Sequence, residues 1–258
     1  MSAEVSAVVT GAAKGIGAAI AQRLLDEGIA VVGVDLDADA LAATAQGHPS
    51  FVPIVGDIGE WGTHERAADA ASEQGRLAHW VNNAGIDVAG GAHEVTETDL
   101  TRALQVLQLG PMYGCAIAVR RMLATGGGSI VNVSSIQGAV AFPRYFAYQA
   151  AKAAVTMVSK GIAVDYGPYG IRCNALLPGV IDTPMTRSAL LDEPDMEAAL
   201  RKEGELSPLE RAGSAEEMAE VAWFLLSERA GYVSGAAVVA DGAATARCFP
   251  YPRLELEV

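Results

Sequence analysis

The stretch Ala7-Val8-Val9-Thr10-Gly11-Ala12-Ala13-Lys14-Gly15-Ile16-Gly17 decides the fold. A continuous apolar run meets a cluster of glycines, and residues of helical period follow at once from Ile16 to Glu27. That order reads as strand, tight turn, helix. Glycines let the chain turn sharply and let a pyrophosphate approach the backbone N–H groups of a helix N-terminus, where the dipole favours anions. The spacing Gly-x-x-x-Gly-x-Gly differs from the commoner Gly-x-Gly-x-x-Gly, and from these residues alone a tight turn without a ligand is the alternative.

Outward from this stretch the same alternation continues. Ala30–Val34, Phe51–Val55, His79–Val81, Ser129–Val133, Ile171–Leu176 and Ala236–Val239 are apolar or nearly so, as strands buried on both faces are. Segments of helical period lie between them: Ala38–Gln46, Leu100–Ala124, Ala147–Asp165 and Ala215–Ser227. The pattern predicts an α/β chain with a mainly parallel sheet and helices on both faces. One domain spans residues 1–245. Pro184–Pro208, polar and proline-bearing, is expected to be a lid within it, and Ala246–Val258 a C-terminal tail.

The 258 residues are 51% hydrophobic and 19% charged, enough for a sizeable core. Eighteen basic residues against 31 acidic ones leave a net charge of −13, so a phosphate backbone is repelled and nucleic acid is not an expected partner. No apolar run is long enough to span a membrane and the N-terminus carries no signal-peptide pattern, so the expected location is the cytoplasm. Cys115, Cys173 and Cys248 are an odd set at wide spacings, as free thiols are, and His48, His64, His79 and His93 form no metal-ligand pattern. No metal is expected, and each histidine reads as a surface or satisfied loop residue.

Asp35 ends the second strand 24 residues after Gly11, near the place where a carboxylate accepts hydrogen bonds from an adenosine ribose. A carboxylate there repels the 2′-phosphate of NADP, whereas Lys14 pulls weakly the other way. NAD is the expected cofactor. Further along, Ser135 follows a strand, and Tyr148 and Lys152 stand four apart on one face of a helix. An ammonium beside a phenol favours the phenolate, so such a Tyr can give or take a proton, and a Ser hydroxyl nearby can hold a substrate oxygen. On its own the Tyr–Lys pair also fits an ordinary surface pair.

Taken together, these motifs resemble the classical branch of the short-chain dehydrogenase/reductase family from about residue 4 to residue 245. The resemblance rests on Thr10–Gly17, Asp57-Ile58, Asn82-Asn83-Ala84-Gly85, Ser135 with Tyr148 thirteen residues later, Tyr148-x-x-x-Lys152, Pro178-Gly179, Thr183 and Asp241-Gly242. It implies a single-domain doubly wound (Rossmann) fold and a nicotinamide cofactor. Gly11, Lys14, Gly15, Ile16 and Gly17 would form the cofactor loop, Asp57 and Ile58 would meet adenine, and Asn83, Ala84 and Gly85 would shape the cleft floor. Pro178 and Gly179 would also touch the cofactor, with Thr183 at the carboxamide. Tyr148 would be the general acid/base, Lys152 would hold the nicotinamide ribose, and Ser135 would orient the substrate oxygen.

Two positions depart from the family pattern. Leu107 stands where the family usually has a catalytic Asn, and a Leu side chain can neither donate nor accept a hydrogen bond. Ala243 stands where a second glycine is usual. The resemblance places the substrate against the loop after Ser135, with Gln137, Phe142 and Phe146 as contacts and Ile136 and Val140 beside them, which suits an apolar alcohol or ketone. Arg144 and Arg187 are alternative partners for an anionic group. A homo-oligomer, tetramer before dimer, is implied through the helices that carry Leu104, Val155, Met157 and Val158. The expected function is NAD-dependent hydride transfer between nicotinamide and a secondary alcohol or ketone. The alternative is a dinucleotide-binding protein with weak or no turnover because of Leu107.

Overall fold

The computed structural model describes residues 4–247. Its strands are β1 (Val5–Thr10), β2 (Ala30–Asp35), β3 (Phe51–Val55), β4 (Arg76–Asn82), β5 (Gly128–Val133), β6 (Ile171–Pro178) and β7 (Ala237–Ala240). They form one parallel sheet in the order β3-β2-β1-β4-β5-β6-β7. The helices are α1 (Gly15–Asp26), α2 (Ala38–Gly47), α3 (Trp61–Gln74), α4 (Glu97–Ala103), α5 (Gly110–Thr125), α6 (Phe146–Tyr166), α7 (Pro184–Ala189), α8 (Met196–Gly204) and α9 (Ala215–Leu226). A single π-helical turn, Leu104–Leu109, joins α4 to α5. This is the doubly wound fold that the alternation predicts.

Both faces of the sheet are covered, and strand alternation divides the core between them. Ala7 and Val9 of β1 face a cluster with Ile20 and Leu24 of α1 and Met218, Ala222 and Leu225 of α9. Val8 faces the opposite cluster with Ala67, Ala68 and Ala71 of α3 and Cys115, Ala118 and Met122 of α5. The first histidine expectation fails here: His64 is buried in α3, where its Nε2 lies 2.8 Å from the carbonyl of Ile58 and its ring stacks on Trp80. Burial pulls its pKa down, favouring the neutral ring. His79 is likewise no loop residue, lying within β4 with its Nδ1 buried and unpartnered.

The order reverses between β1 and β4, since the chain winds one way from β1 to β3 and the other from β4 to β7. A crevice opens beyond the carboxyl ends of strands at such a switch point. Here two loops are laced across it. The Thr10 hydroxyl accepts the N–H groups of Asn83 (3.0 Å) and Ala84 (3.1 Å), and the Asn83 amide donates to the Thr10 carbonyl (3.0 Å). A side chain at Gly11 would come within 2.8 Å of the Ala84 backbone, so only glycine fits this lacing.

The segment Pro184–Pro208 contains α7 and α8, whose start is fixed by Asp195 accepting the Ala198 N–H at 2.9 Å. Val155 is buried in the chain's own core, which removes it from the residues expected at a contact between subunits; Leu104 and Met157 are exposed. Most of the tail from Ala246 lies outside the described residues. Among the described residues no helix is long and apolar enough to cross a membrane, and no group of three or more His, Cys, Asp or Glu could hold a metal ion.

Candidate active site

A cleft of about 1240 Å³ runs over the switch point. At one end Gly11, Lys14, Gly15 and Ile16 of the glycine loop face Asp35; along the floor lie Asp57, Ile58, Asn83, Ala84 and Gly85. At the other end are Ser135, Tyr148 and Lys152, with Pro178, Gly179 and Thr183 opposite. Residues separated by more than 170 positions are thus brought to one surface. Gly17 does not line the cleft. It lies one helical turn behind, where a side chain would overlap the Gly11 carbonyl oxygen, so its role is to let α1 pack on the loop.

The cleft suits a dinucleotide chemically. Helix α1 begins without a side-chain cap and without an acidic residue in its first turn, so its N–H groups are left for an anion. Asp35 is held in place by three backbone N–H groups, from Ala13 (3.0 Å), Leu36 (2.8 Å) and Asp37 (3.2 Å). Its oxygens retain acceptor capacity for a ribose diol. Gln105, which the sequence reading passed over, bonds the Gly59 carbonyl and ties the π-helical turn to the Asp57-Ile58 loop.

At the far end, α6 carries Tyr148 and Lys152 on one face, and the Lys152 Nζ sits 5.5 Å from the centre of the Tyr148 ring. The Nζ donates to the Val133 carbonyl at 3.0 Å, a main-chain anchor at the end of β5. Burial dominates both groups: it pushes Tyr148 up to about 12 and Lys152 down to about 8. In the chain alone the phenol is thus raised by its burial rather than lowered. The Ser135 hydroxyl, within hydrogen-bonding reach of the phenol, acts in the opposite direction to burial, while Asp87 and Tyr145 add to it.

None of the three expected substrate contacts lines this cleft. Phe142 opens instead onto a smaller cavity of about 280 Å³ with Ile136, Leu206, Leu209 and Met218. Phe146 begins α6 and is exposed, and Gln137 has a buried side-chain oxygen without a partner. Ile86, Asp87, Met185 and Ala189 line the cleft instead. Arg187 is fully engaged, with Asp182 at 2.7 and 2.8 Å and Glu197 at 2.7 Å, and Arg144 pairs with Glu94 at 3.1 Å. Neither guanidinium is among the residues of the cleft.

Comparison with known proteins agrees with this geometry. A family model described as enoyl-(acyl carrier protein) reductase matches residues 11–245. The chain is 39% identical over 249 residues to 2-(R)-hydroxypropyl-CoM dehydrogenase of Xanthobacter autotrophicus, covering 93% of this chain and 98% of that one. The chain belongs to the classical short-chain dehydrogenase/reductase family. It is also 38% identical to D-threitol dehydrogenase of Mycolicibacterium smegmatis, over 93% of this chain and 92% of that one. Among solved structures it resembles the aldohexose dehydrogenase of Thermoplasma acidophilum, with a TM-score of 0.88, 32% identity, and coverage of 97% and 98% of the two chains. These relatives are oxidoreductases, which does not favour the reading of a binder without turnover.

Within this short-chain dehydrogenase/reductase, Leu107 has a clear physical place. It lies in the π-helical turn, is 1% exposed, and packs with Val88, Ala103, Ala147, Ala151 and Tyr148. The turn has a cause in the sequence: the Gly110 N–H reaches back five residues to the Gln105 carbonyl, and Pro111 has no N–H, so the carbonyl of Val106 has neither an i+4 nor an i+5 donor. Leu107 thus helps to keep the phenol dry. Leu107→Asn is expected to lower stability by about 2–5 kcal/mol through lost packing and a buried amide, without raising turnover. Thermal melting and steady-state rates check this, and a variant as stable as the parent but faster would show that the site needs a polar group there.

The other departure leaves a visible trace. Ala243 has φ of +70°, the conformation that glycine favours, and the preceding Asp241 accepts its N–H at 2.9 Å. The turn is thus kept although the glycine is not, at the cost of left-handed strain.

Proposed function

We propose that this chain is an NAD-dependent dehydrogenase that moves a hydride between nicotinamide and the carbon of a secondary alcohol or ketone. The observation that carries this reading is the placing of Tyr148, Ser135 and Lys152 at one end of a cleft whose other end holds the glycine loop and Asp35. When bound, a nicotinamide dinucleotide supplies the hydride acceptor for oxidation or the donor for reduction. The names of the relatives, one for a hydroxypropyl compound and one for D-threitol, support a secondary alcohol.

In alcohol oxidation Tyr148 takes the hydroxyl proton as the hydride leaves the carbon; in ketone reduction its phenol returns that proton to the oxygen. Ser135 holds the same oxygen. Lys152 is anchored on the Val133 carbonyl beside the Tyr148 ring and would hold a hydroxyl of the cofactor's ribose. The buried phenol, with its pKa high, is poised as the protonated donor in the chain alone. Monitoring NADH absorbance against a panel of ketones and alcohols tests the reading, and no turnover on any of them would overturn it.

Cofactor choice follows from Asp35, which is followed by Asp37 and Asp39 along the chain. NAD(H) should bind more tightly than NADP(H), and Asp35→Ala should narrow the ratio about tenfold, the worth of one charge-assisted hydrogen bond. Calorimetric titration with each cofactor measures it. Equal affinities in the wild type would exclude Asp35 as the selector.

A further inference from the structure

Two residues beyond the Asn83–Gly85 floor, the chain carries a carboxylate between apolar neighbours: Ile86-Asp87-Val88. The segment is pinned to the start of α6. Gly90 donates its N–H to the Arg144 carbonyl at 2.6 Å and accepts the Phe146 N–H at 3.1 Å, pairing with Tyr145 as an isolated parallel bridge. This clamp sets Asp87 on the cleft wall with Ser135 and Tyr148, and close enough to the phenols of Tyr145 and Tyr148 to act on both electrostatically. The two rings themselves meet edge to face, with centroids 5.9 Å apart.

Asp87 has little else to do there. It takes part in none of the ion pairs among the described residues, and its one neighbouring donor is the N–H of Val88. Partial burial raises its pKa against the Val88 N–H, and the residue stays exposed on the cleft wall with its oxygens open to water or a ligand. Of the cations that line the cleft, Lys14 lies in the glycine loop and Arg102 one turn from Gln105, which bonds the loop below Asp57. At this end the cleft therefore presents an under-used acceptor, while the cation there, Lys152, is turned to the Val133 carbonyl and the Tyr148 ring.

We propose that Asp87 determines substrate specificity by accepting a hydrogen bond from a second hydroxyl next to the reacting carbon, so that neutral vicinal diols and polyols are preferred to simple alcohols and to hydroxy acids. Asp87 is exposed on the cleft wall, so a second hydroxyl can replace water at its oxygens where a mono-alcohol cannot, and its charge penalises a carboxylate. This rests on the reading of the site as an alcohol dehydrogenase. It also accounts for a charge beside the acid/base that raises the phenol's pKa.

The test uses the full chain with saturating NAD and three matched substrates: butane-2,3-diol, butan-2-ol and 3-hydroxybutanoate. The ratio of kcat/KM for diol over mono-alcohol should be about tenfold or more in the wild type and should fall toward unity in Asp87→Ala. Asp87→Asn, which keeps the shape and one acceptor oxygen, should retain part of that ratio while raising the relative rate on the hydroxy acid. Melting temperature and NADH affinity verify that each variant is folded. A wild-type ratio near unity, or one that Asp87→Ala leaves intact, overturns the role of Asp87 alone. If the wild type oxidises none of the three and reduces none of the matching ketones, the dehydrogenase reading fails and Asp87's role with it.

Discussion

Tyr148→Phe is expected to lower turnover by a factor of about 10²–10⁴, the usual contribution of a positioned general acid or base. Cofactor affinity should stay within a few-fold, because the change removes one oxygen at the reacting end and nothing from the glycine loop or Asp35. The fold should tolerate it: the ring keeps its contacts in the cluster around Leu107, and one hydrogen bond, to Ser135, is lost at a cost of about 1 kcal/mol. Single-turnover kinetics with preloaded NADH separate the two effects. Substantial residual activity would mean that another group transfers the proton.

Lys152→Met should be nearly inactive and yet at least as stable as the wild type. The lysine is buried, with its pKa near 8 rather than 10.5, so the folded chain bears the cost of a desolvated ammonium at neutral pH. Removing it should recover about 1–3 kcal/mol, less what is lost when the Val133 carbonyl loses its donor. Because the folded pKa is depressed, the unfolded chain holds more protons between pH 8 and 10, and wild-type stability rises across that window. The advantage of the variant should therefore be largest at pH 7 and shrink toward pH 10. Denaturant titrations at several pH values give this difference, and a variant less stable at pH 7 with no pH trend would refute it.

Strands were legible where they are buried on both faces: no polar residue interrupts Ala30–Val34, and in Ser129–Val133 the apolar pattern survives Asn132, which is buried and bonded to Asn82 and Ser159. Helix α3 was not. Its inner face is Thr63, His64, Ala67, Ala68 and Ala71, small or polar residues that give no apolar stripe to read. The single helix expected over Leu100–Ala124 is broken into α4, a π-helical turn and α5 around Gly110-Pro111, a break that helical period alone does not reveal. Leu107, read from the resemblance as a missing polar group, proved to be a packing residue beside Tyr148. The cleft-lining positions of the glycine loop and of Ser135, Tyr148 and Lys152 were readable from motif spacing. The substrate wall was not, since Asp87 and Met185 reach it through the Gly90 clamp and through α7, both set by tertiary contacts.

The break at Pro111 also bears on how this site responds to mutation. The acceptor it releases, the Val106 carbonyl, belongs to the main chain, so exchanging side chains at positions 106 or 107 leaves it in place. An alanine scan across the turn is blind to it. The substitution that could supply its donor lies downstream: any residue other than proline at position 111 restores the amide hydrogen that the five-residue pattern of the turn assigns to that oxygen. The genetic handle on this part of the cleft is thus a residue that does not line it.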